Sequence, residues 1–284
     1  MSGGRARSAP ASLPAAGGPR APEAEPPVVS GPRPNRRRPL LVGELAGVLF
    51  LLFGYDRVAA FAGGRAAPAI AHGRHLLAAE RSLHLAVEYR LDHALAGHRG
   101  LGQALSVYYD FAHGIVTFGV LGVLYVCRPA GYRSARWVLV ALNVAALGLF
   151  ASFPVAPPRL LPAGGFTDIV ATSGTWGSWE SSASSVAQHA NLYAAFPSLH
   201  VGQASWVLLV VVATTRRPWL RGLAGAHLAL TVLIVLSTGN HYVIDVAGGG
   251  GLTALTWCAV HARTTRRGQV PAADLAGSPV RLTG

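Results

Sequence analysis

The sequence contains no lysine, so all 24 of its basic residues are arginines. Only 12 acidic residues accompany them, and the formal net charge is +12. A charge of this size also occurs in nucleic-acid-binding proteins, but here the arginines cluster between apolar runs and do not follow one surface. We therefore interpret them as signals of membrane topology and expect no nucleic-acid partner.

Cysteine is also scarce. Cys127 and Cys258 lie far apart in the sequence and form no CxxC pattern, which argues against a disulfide framework and against a cysteine metal site. Charged residues make up only 13% of the chain, whereas 51% is hydrophobic. This composition is typical of a protein that lies in a bilayer.

Large apolar side chains are almost missing from residues 1–39, which are rich in Pro, Ala, Gly and Arg. Such a segment cannot offset the entropy of ordering, so we predict a disordered tail. The first long apolar run begins at Leu40, directly after Arg36, Arg37 and Arg38. Residues 1–39 therefore do not have the layout of a signal peptide.

Six apolar runs approach the length of about 20 residues that a membrane-spanning helix needs. Between the first two runs, leucines over residues 66–95 alternate with His, Arg and Glu, which indicates helices at the interface or packed under the bundle. The sequence thus predicts an all-α polytopic membrane protein, with about six transmembrane helices in a bundle plus interfacial helices. The domain covers residues 40–261, and a cytoplasmic tail covers 262–284. The six predicted spans are 40–61, 104–126, 136–153, 200–215, 220–237 and 241–261.

Clusters of arginine predict the orientation, because short cytoplasmic loops carry an excess of positive charge. An even number of spans places all of the clusters and both termini on the cytoplasmic side of the cell membrane. The opposite face then holds residues 62–103, residues 154–197 and the turn Thr238-Gly239-Asn240. The clusters are Arg33 to Arg38, then Arg128, Arg133 and Arg136, then Arg216, Arg217 and Arg221, and finally Arg263, Arg266 and Arg267.

Two segments on the predicted outer face carry histidines that suit phosphoryl transfer. Four-residue spacing puts His241 and Asp245 on one helical face, where the carboxylate accepts a hydrogen bond from one imidazole nitrogen. The other nitrogen is then free to attack. His200, in Pro197-Ser198-Leu199-His200, is the predicted proton donor.

A transferring phosphoryl group also needs cations or N–H groups around its oxygens. Arg159, in Ala156-Pro157-Pro158-Arg159, is the predicted guanidinium clamp. Ser198 and the neighbouring backbone amides lie where the fourth helix begins, which favours anion binding. Further predicted substrate-binding residues are Asn240, beside His241, and Asp110 and His113 in the second helix, although packing explains the last two about as well.

These motifs resemble the type 2 phosphatidic acid phosphatase superfamily over most of residues 40–261. In that superfamily a Pro-Ser-Gly-His motif supplies the general acid, and residues 197–200 look like it. The histidine and aspartate of the third motif match His241 and Asp245, which implies a phosphohistidine intermediate on His241. Leu199, residues 191–196 and residues 239–242 are similar to the inositol phosphorylceramide synthase-like, or inositolphosphotransferase, branch.

Two features depart from the superfamily pattern. Its first motif begins with lysine and ends in Arg-Pro, whereas this chain has no lysine and its Arg128-Pro129 lies on the predicted cytoplasmic side. Its third motif normally carries an arginine six residues before the histidine, and here that residue is Val235. Arg159 is therefore the remaining predicted phosphate clamp.

Three functional hypotheses remain open. The first is a cofactor-free, metal-independent lipid phosphatase or phosphotransferase, acting on a lipid phosphate or phospholipid headgroup, with water, inositol or another alcohol as acceptor. The second is a metal-dependent membrane enzyme in which His200, His241 and Asp245 hold the metal. The third is a non-enzymatic transporter, although no internal repeat supports it. The Ser-rich segment 173–185, with Trp176 and Trp179, is either a lid or part of an interfacial belt.

Overall fold

A computed structural model describes residues 39–173 and 192–268 of the 284-residue chain. Apart from Pro39, the predicted N-terminal tail lies outside these residues, as do the Ser-rich segment beyond Ser173 and the chain beyond Gly268. Nine α-helices and one 3-10 turn form the described part. They are α1 (Leu41–Gly63), α2 (Ala66–Ser82), α3 (Glu88–Ala96), α4 (Arg99–Cys127), α5 (Pro129–Ser152), the 3-10 turn Pro158–Leu160, α6 (Ile169–Ser173), α7 (Leu199–Thr214), α8 (Pro218–Ser237) and α9 (Val243–Gly268).

Four helices are long and apolar enough to cross a membrane: α4, α5, α8 and the Val243–Arg263 part of α9. Helices α1 and α2 meet the same criterion only as a pair, and a bend of 94° separates them. Helix α7 is apolar but has only 16 residues. The regular elements of residues 39–173 and 192–268 are thus all helical, and their long apolar helices indicate an integral membrane protein. The predicted count of six spans is not confirmed, because α7 is short and α1 qualifies only together with α2.

Helix ends differ from the predicted spans where polar residues continue a helix. The spans predicted to begin at 104 and 136 start earlier, at Arg99 and Pro129. Only Arg128 separates α4 from α5, and Pro129 favours the immediate start of a new helix because its φ angle is already helical. Helix α9 continues past the predicted end at 261 to Gly268. The segment 66–95, predicted to be interfacial, forms most of α2 and α3.

The ends of several helices that carry the basic clusters lie together at one end of the bundle. Arg128 and Arg221 line a common groove there, which brings the α4–α5 junction beside the α7–α8 loop. Three further contacts add the starts of α1 and α5 and the last turns of α9. They are Tyr125 O–H donating to the Pro39 carbonyl at 2.9 Å, the ion pair between Arg136 and Glu44, and Ser134 O–H donating to Nε2 of His261 at 3.1 Å.

The apolar core is continuous along α4, α5, α7 and α8. Trp206 is fully buried in it, and its indole N–H donates to the Ala135 carbonyl at 2.9 Å. Two smaller apolar clusters lie toward the start of α7 and the start of α9, one around Tyr109 and Val201 and the other around Tyr242. These two clusters surround the predicted catalytic histidines.

Candidate active site

The turn between α8 and α9 brings Asn240 and His241 to the start of α9. Helix α8 ends in a Schellman arrangement, in which the Asn240 N–H donates to the Val235 carbonyl and the Gly239 N–H to the Leu236 carbonyl, both at 3.2 Å. Gly239 has a φ of +63°, a left-handed conformation that glycine adopts without steric cost. His241 therefore lies in the connection before α9 and not on a helical face.

His241 is held through its Nδ1 atom. This nitrogen lies 2.9 Å from the Ala195 carbonyl oxygen and 3.4 Å from Oδ2 of Asp245. Both neighbours accept hydrogen bonds, so Nδ1 carries the proton and Nε2 carries the lone pair. Asp245 lies in the first turn of α9, where its Oδ2 also accepts the Tyr242 N–H at 2.9 Å. The structure thus brings the predicted pair together through a helix start, and not through the helical spacing assumed from the sequence.

The Ala195 carbonyl comes from a segment that no sequence pattern connects to His241. An isolated parallel bridge holds this segment: the Val155 N–H donates to the Tyr193 carbonyl at 2.8 Å, and the Ala195 N–H donates to the Val155 carbonyl at 3.2 Å. The bridge fixes the position of the Ala195 carbonyl relative to the segment that follows α5.

His200 lies in the first turn of α7. Ser198 is the N-cap of this helix, and its Oγ accepts the Val201 N–H at 3.4 Å. The Ser198 N–H donates to the Asp245 carbonyl at 3.0 Å, which ties the start of α7 to the start of α9. The centroids of the His200 and His241 rings are 6.0 Å apart. Both rings line the same cavity, so a single bound group can contact both histidines.

Helix α4 contributes two rings that contact His200. Tyr109 stacks on it with ring centroids 4.1 Å apart, and His113 meets it edge-on at 4.3 Å. Nδ1 of His113 donates to the Tyr109 carbonyl at 3.1 Å. His113 thus contacts His200 from the side, and neither His113 nor Asp110 is among the described residues that line the cavity between the two histidines.

Arg159 lies on the 3-10 turn and is pre-oriented from three sides. Its backbone N–H donates to the Gly239 carbonyl at 3.0 Å, its Nε donates to Oδ1 of Asn240, and one terminal nitrogen donates to Oδ2 of Asp168 at 3.2 Å. Asn240 in turn donates from Nδ2 to the Thr238 hydroxyl at 2.9 Å. The Arg159 side chain is only 1% exposed, so its guanidinium is a largely desolvated cation.

A cavity of about 50 Å³ joins these side chains. That volume holds a few water-sized groups. Ser198 is absent from the described lining because its side chain caps α7. Helix α1, which precedes the other elements, contributes Tyr55. The lining consists of Tyr55, Tyr109, Phe150, Pro157, Arg159, Leu192, Ala194, Ala195, Leu199, His200, Asn240 and His241.

The sequence profile of the PAP2 superfamily matches residues 74–259. The chain belongs to this superfamily. The matched region contains both histidines, Asp245 and Arg159, whereas α1 precedes it. No curated protein and no solved structure matches the chain.

Membership of the PAP2 superfamily supports a phosphatase-type activity on a lipid phosphate, in keeping with the membrane helices. The predicted resemblance to the type 2 phosphatidic acid phosphatase superfamily is therefore confirmed. The inositol phosphorylceramide synthase-like branch is not confirmed.

The positions of Val235 and Arg128 explain the two departures from the PAP2 pattern. Val235, at the position of the superfamily's arginine, is fully buried in an apolar cluster, and its carbonyl accepts two N–H groups of the α8–α9 turn. An arginine side chain there would have to leave that cluster. Arg128-Pro129 lies in the groove with Arg221, away from the histidines, so it does not supply the missing first motif.

Three buried acidic residues near this candidate site are absent from the sequence-based prediction. Glu80, Glu88 and Asp92 are each fully buried. Burial raises the pKa of the Glu88 and Asp92 carboxyls, because it penalises their charged forms. One sequence signal for part of this group exists. Glu88 and Asp92 are four residues apart and therefore share one face of a helix, although the surrounding segment mixes polar and apolar residues.

The metal hypothesis gains no support from the geometry. Within the described residues, no group of three or more His, Cys, Asp or Glu side chains is arranged to hold a metal ion. His200 and His241 face each other across the cavity, whereas Asp245 is turned toward Nδ1 of His241 and the start of α9.

Proposed function

We propose that this protein transfers the phosphoryl group of a lipid phosphate or phospholipid headgroup through a phosphohistidine on His241. One observation carries the proposal: Nδ1 of His241 faces two acceptors, and this leaves the lone pair on Nε2, with His200 across a small cavity. A nucleophile held by acceptors, with a second proton-transfer group opposite, is the arrangement that covalent catalysis requires.

In the first step, Nε2 of His241 attacks phosphorus, and an N–P bond forms as the P–O bond to the lipid alcohol breaks. His200 gives its proton to the departing oxygen. The His241 imidazole becomes more positive as it bonds to phosphorus, and the Asp245 carboxylate and the Ala195 carbonyl stabilise it through Nδ1–H. In the second step, His200 takes a proton from the acceptor, whose oxygen attacks phosphorus and restores His241.

Arg159 and Asn240 would bind the equatorial oxygens of the phosphoryl group. Arg159 is already oriented by Asn240 and Asp168, so little reorganisation accompanies the development of negative charge. In a desolvated site such a preorganised guanidinium stabilises the transition state more than it would in water.

The acceptor is water or an alcohol, because hydrolysis and transfer share their first step and differ in what the cavity admits second. The sequence resemblance to the synthase-like branch supports inositol or another alcohol as acceptor. We further propose that the site faces away from the cytoplasm, since Arg128 and Arg221 line a groove that shares no described lining residue with the cavity of the two histidines.

The test is a panel of lipid phosphates and phospholipids, incubated with purified protein in detergent, with and without inositol and with and without EDTA, and analysed by mass spectrometry. We expect turnover that survives EDTA and is lost in His241→Ala. The matched control is His261→Ala, which removes a histidine from the other end of the bundle and should leave turnover unchanged. Full activity of His241→Ala would overturn the mechanism, loss with EDTA would favour the metal hypothesis, and the absence of turnover on every lipid would favour a transporter.

A further inference from the structure

Three acidic side chains from three different helices lie buried around the start of α9. Glu80 comes from α2, Glu88 from α3 and Asp245 from α9 itself, and each is fully buried. The burial of Asp245 is explained by its contact with Nδ1 of His241. Glu80 and Glu88 contact neither histidine, yet burying a carboxyl group carries a large free-energy cost unless it is hydrogen-bonded or neutral.

Glu80 binds the backbone of α9 directly. Its Oε1 accepts the N–H of Ile244 at 2.6 Å. Ile244 is the second residue of α9, and the N–H groups of a first helical turn have no partner within the helix. A carboxyl oxygen at this position also interacts favourably with the helix dipole. Glu80 therefore anchors the residue that immediately precedes Asp245.

Glu88, in the first turn of α3, is a neighbour of Glu80. The two carboxyl groups are within hydrogen-bonding reach of each other. Among the described residues, no N–H or O–H group donates to Oε2 of Glu80 or to either oxygen of Glu88. Two ionised carboxylates have no proton with which to form such a bond, so the contact requires that one of the two groups is protonated.

We propose that Glu80 and Glu88 share one proton and act together as a positioning pair for the start of α9, and hence for Asp245 and His241. This inference rests on the proposed function of His241. The pair touches no reacting atom. Its effect passes through the Ile244 N–H to the first turn of α9, where Asp245 faces Nδ1 of His241.

The charged groups around the pair determine its pH dependence. Asp245 on α9 is a like charge beside it, and Arg81 on α2 is an opposite charge that interacts with Glu88. Tyr242 also faces the pair, and its hydroxyl donates to the Ala156 carbonyl at 2.9 Å. Loss of the shared proton would therefore place a second negative charge near Asp245, and the charge of Arg81 would offset it in part.

The sign of the pH effect follows from burial. Desolvation raises the pKa of Glu88, so the folded protein holds a proton that the unfolded chain has already released. The stabilisation is complete below the pKa of the unfolded chain and is lost as the pH rises through the raised value. We expect both thermal stability and turnover to decline on the alkaline side for this reason.

The experiment compares wild type, Glu80→Gln and Glu80→Ala in detergent from about pH 6 to about pH 10, by thermal unfolding and by turnover of a lipid phosphate. Glutamine keeps the oxygen for the Ile244 N–H and donates a permanent amide proton to Glu88. Glu80→Gln should therefore retain wild-type turnover near neutral pH and shift the alkaline decline of both measurements upward by about one pH unit or more. Glu80→Ala should lower kcat roughly tenfold at every pH, with little change in KM.

The matched control is Asp56→Asn, which neutralises an exposed acid on α1 and should leave both pH profiles unchanged. Identical alkaline profiles for wild type and Glu80→Gln would overturn the positioning pair while leaving the phosphohistidine mechanism intact. If wild type turned over no lipid phosphate, the proposed function would fail, but thermal unfolding would still decide whether the pair shares a proton.

Discussion

At the scale of single residues, the two oxygens around Nδ1 of His241 have different parts in the proposed mechanism. The Ala195 carbonyl is the closer acceptor, at 2.9 Å, and it alone suffices to keep the proton on Nδ1. Asp245, at 3.4 Å, adds a negative charge that a backbone carbonyl lacks. Orientation of the ring therefore depends mainly on the Ala195 carbonyl, whereas stabilisation of a phosphorylated, cationic imidazole depends mainly on Asp245.

Asp245→Asn tests this division. The amide oxygen can still accept the Tyr242 N–H, and the Ala195 carbonyl still holds Nδ1–H, but the negative charge is gone. We expect kcat to fall about 10- to 100-fold with little change in KM, as steady-state kinetics would measure. A variant as inactive as His241→Ala, with unchanged thermal unfolding, would contradict the account.

His200 is assigned to the proton transfers, and its substitution has a signature that depends on the substrate. His200→Ala should slow turnover of a lipid phosphate roughly 10²- to 10⁴-fold, because an alkoxide leaves poorly without a proton. An aryl phosphate with an acidic phenol needs no such proton, so formation of the phosphoenzyme from it should be far less affected. Rapid-quench kinetics on the two substrates measures the difference, and equal losses on both would exclude the general-acid role.

At the scale of helices, the active-site geometry depends on a close approach of α7 and α9. A Cβ atom added at Gly249 would lie 2.2 Å from the Ser198 carbonyl oxygen and 3.2 Å from the Gly202 nitrogen. These are backbone atoms that cannot rotate away. The same segment of α7 carries His200, so the absence of a side chain at residue 249 sets the separation between the two histidines.

Gly249→Ala should therefore displace the start of α7 and lower activity together with stability. We expect an unfolding free energy reduced by about 1–3 kcal/mol and at least a roughly tenfold loss of kcat. Gly251→Ala is the matched control, because a Cβ there meets open space on the same helix. Thermal unfolding and turnover of both variants provide the measurement, and equal behaviour of the two would show that the close approach does not matter.

The positions of the main helices can be predicted from the sequence, because long apolar runs are enough to identify them. Their ends cannot, since Arg99 and Arg133 continue a helix although they break the apolar pattern. The buried Glu80 of α2 is equally hidden from sequence analysis. A segment in which leucine alternates with His, Arg and Glu indicates a half-exposed helix, and only the approach of α9 makes Glu80 an interior residue.

At the scale of the whole molecule, two groups of polar residues lie at different ends of the helix bundle. One end contains Arg128 and Arg221 in a groove of about 740 Å³, and the other contains the histidines, Arg159 and the buried acids. We expect the basic end to face the cytoplasm, because short cytoplasmic loops carry an excess of positive charge. Arg159, His200 and His241 line one cavity at the other end although they are distant in sequence, whereas Asp110 and His113 are not part of its described lining. The Ala195 carbonyl escapes sequence analysis because backbone atoms leave no residue-type signal.

Cysteine labelling tests this orientation. In a background without Cys127 and Cys258, a single cysteine replaces either His98, exposed between α3 and α4, or Arg217, exposed before α8. A membrane-impermeant maleimide applied to intact cells should label His98→Cys at once and Arg217→Cys only after the membrane is permeabilised. The reverse pattern would place the active site in the cytoplasm.

The most direct test of the central claim is the chemical identification of the phosphorylated residue. His200→Ala, supplied with an aryl phosphate, should accumulate the intermediate, because the intermediate can still form but the acceptor is no longer activated. Rapid quenching in denaturing detergent at alkaline pH, followed by peptide mass spectrometry, should find one phosphoryl group on His241. Phosphate on another residue, or turnover without any phosphorylated protein, would contradict the account.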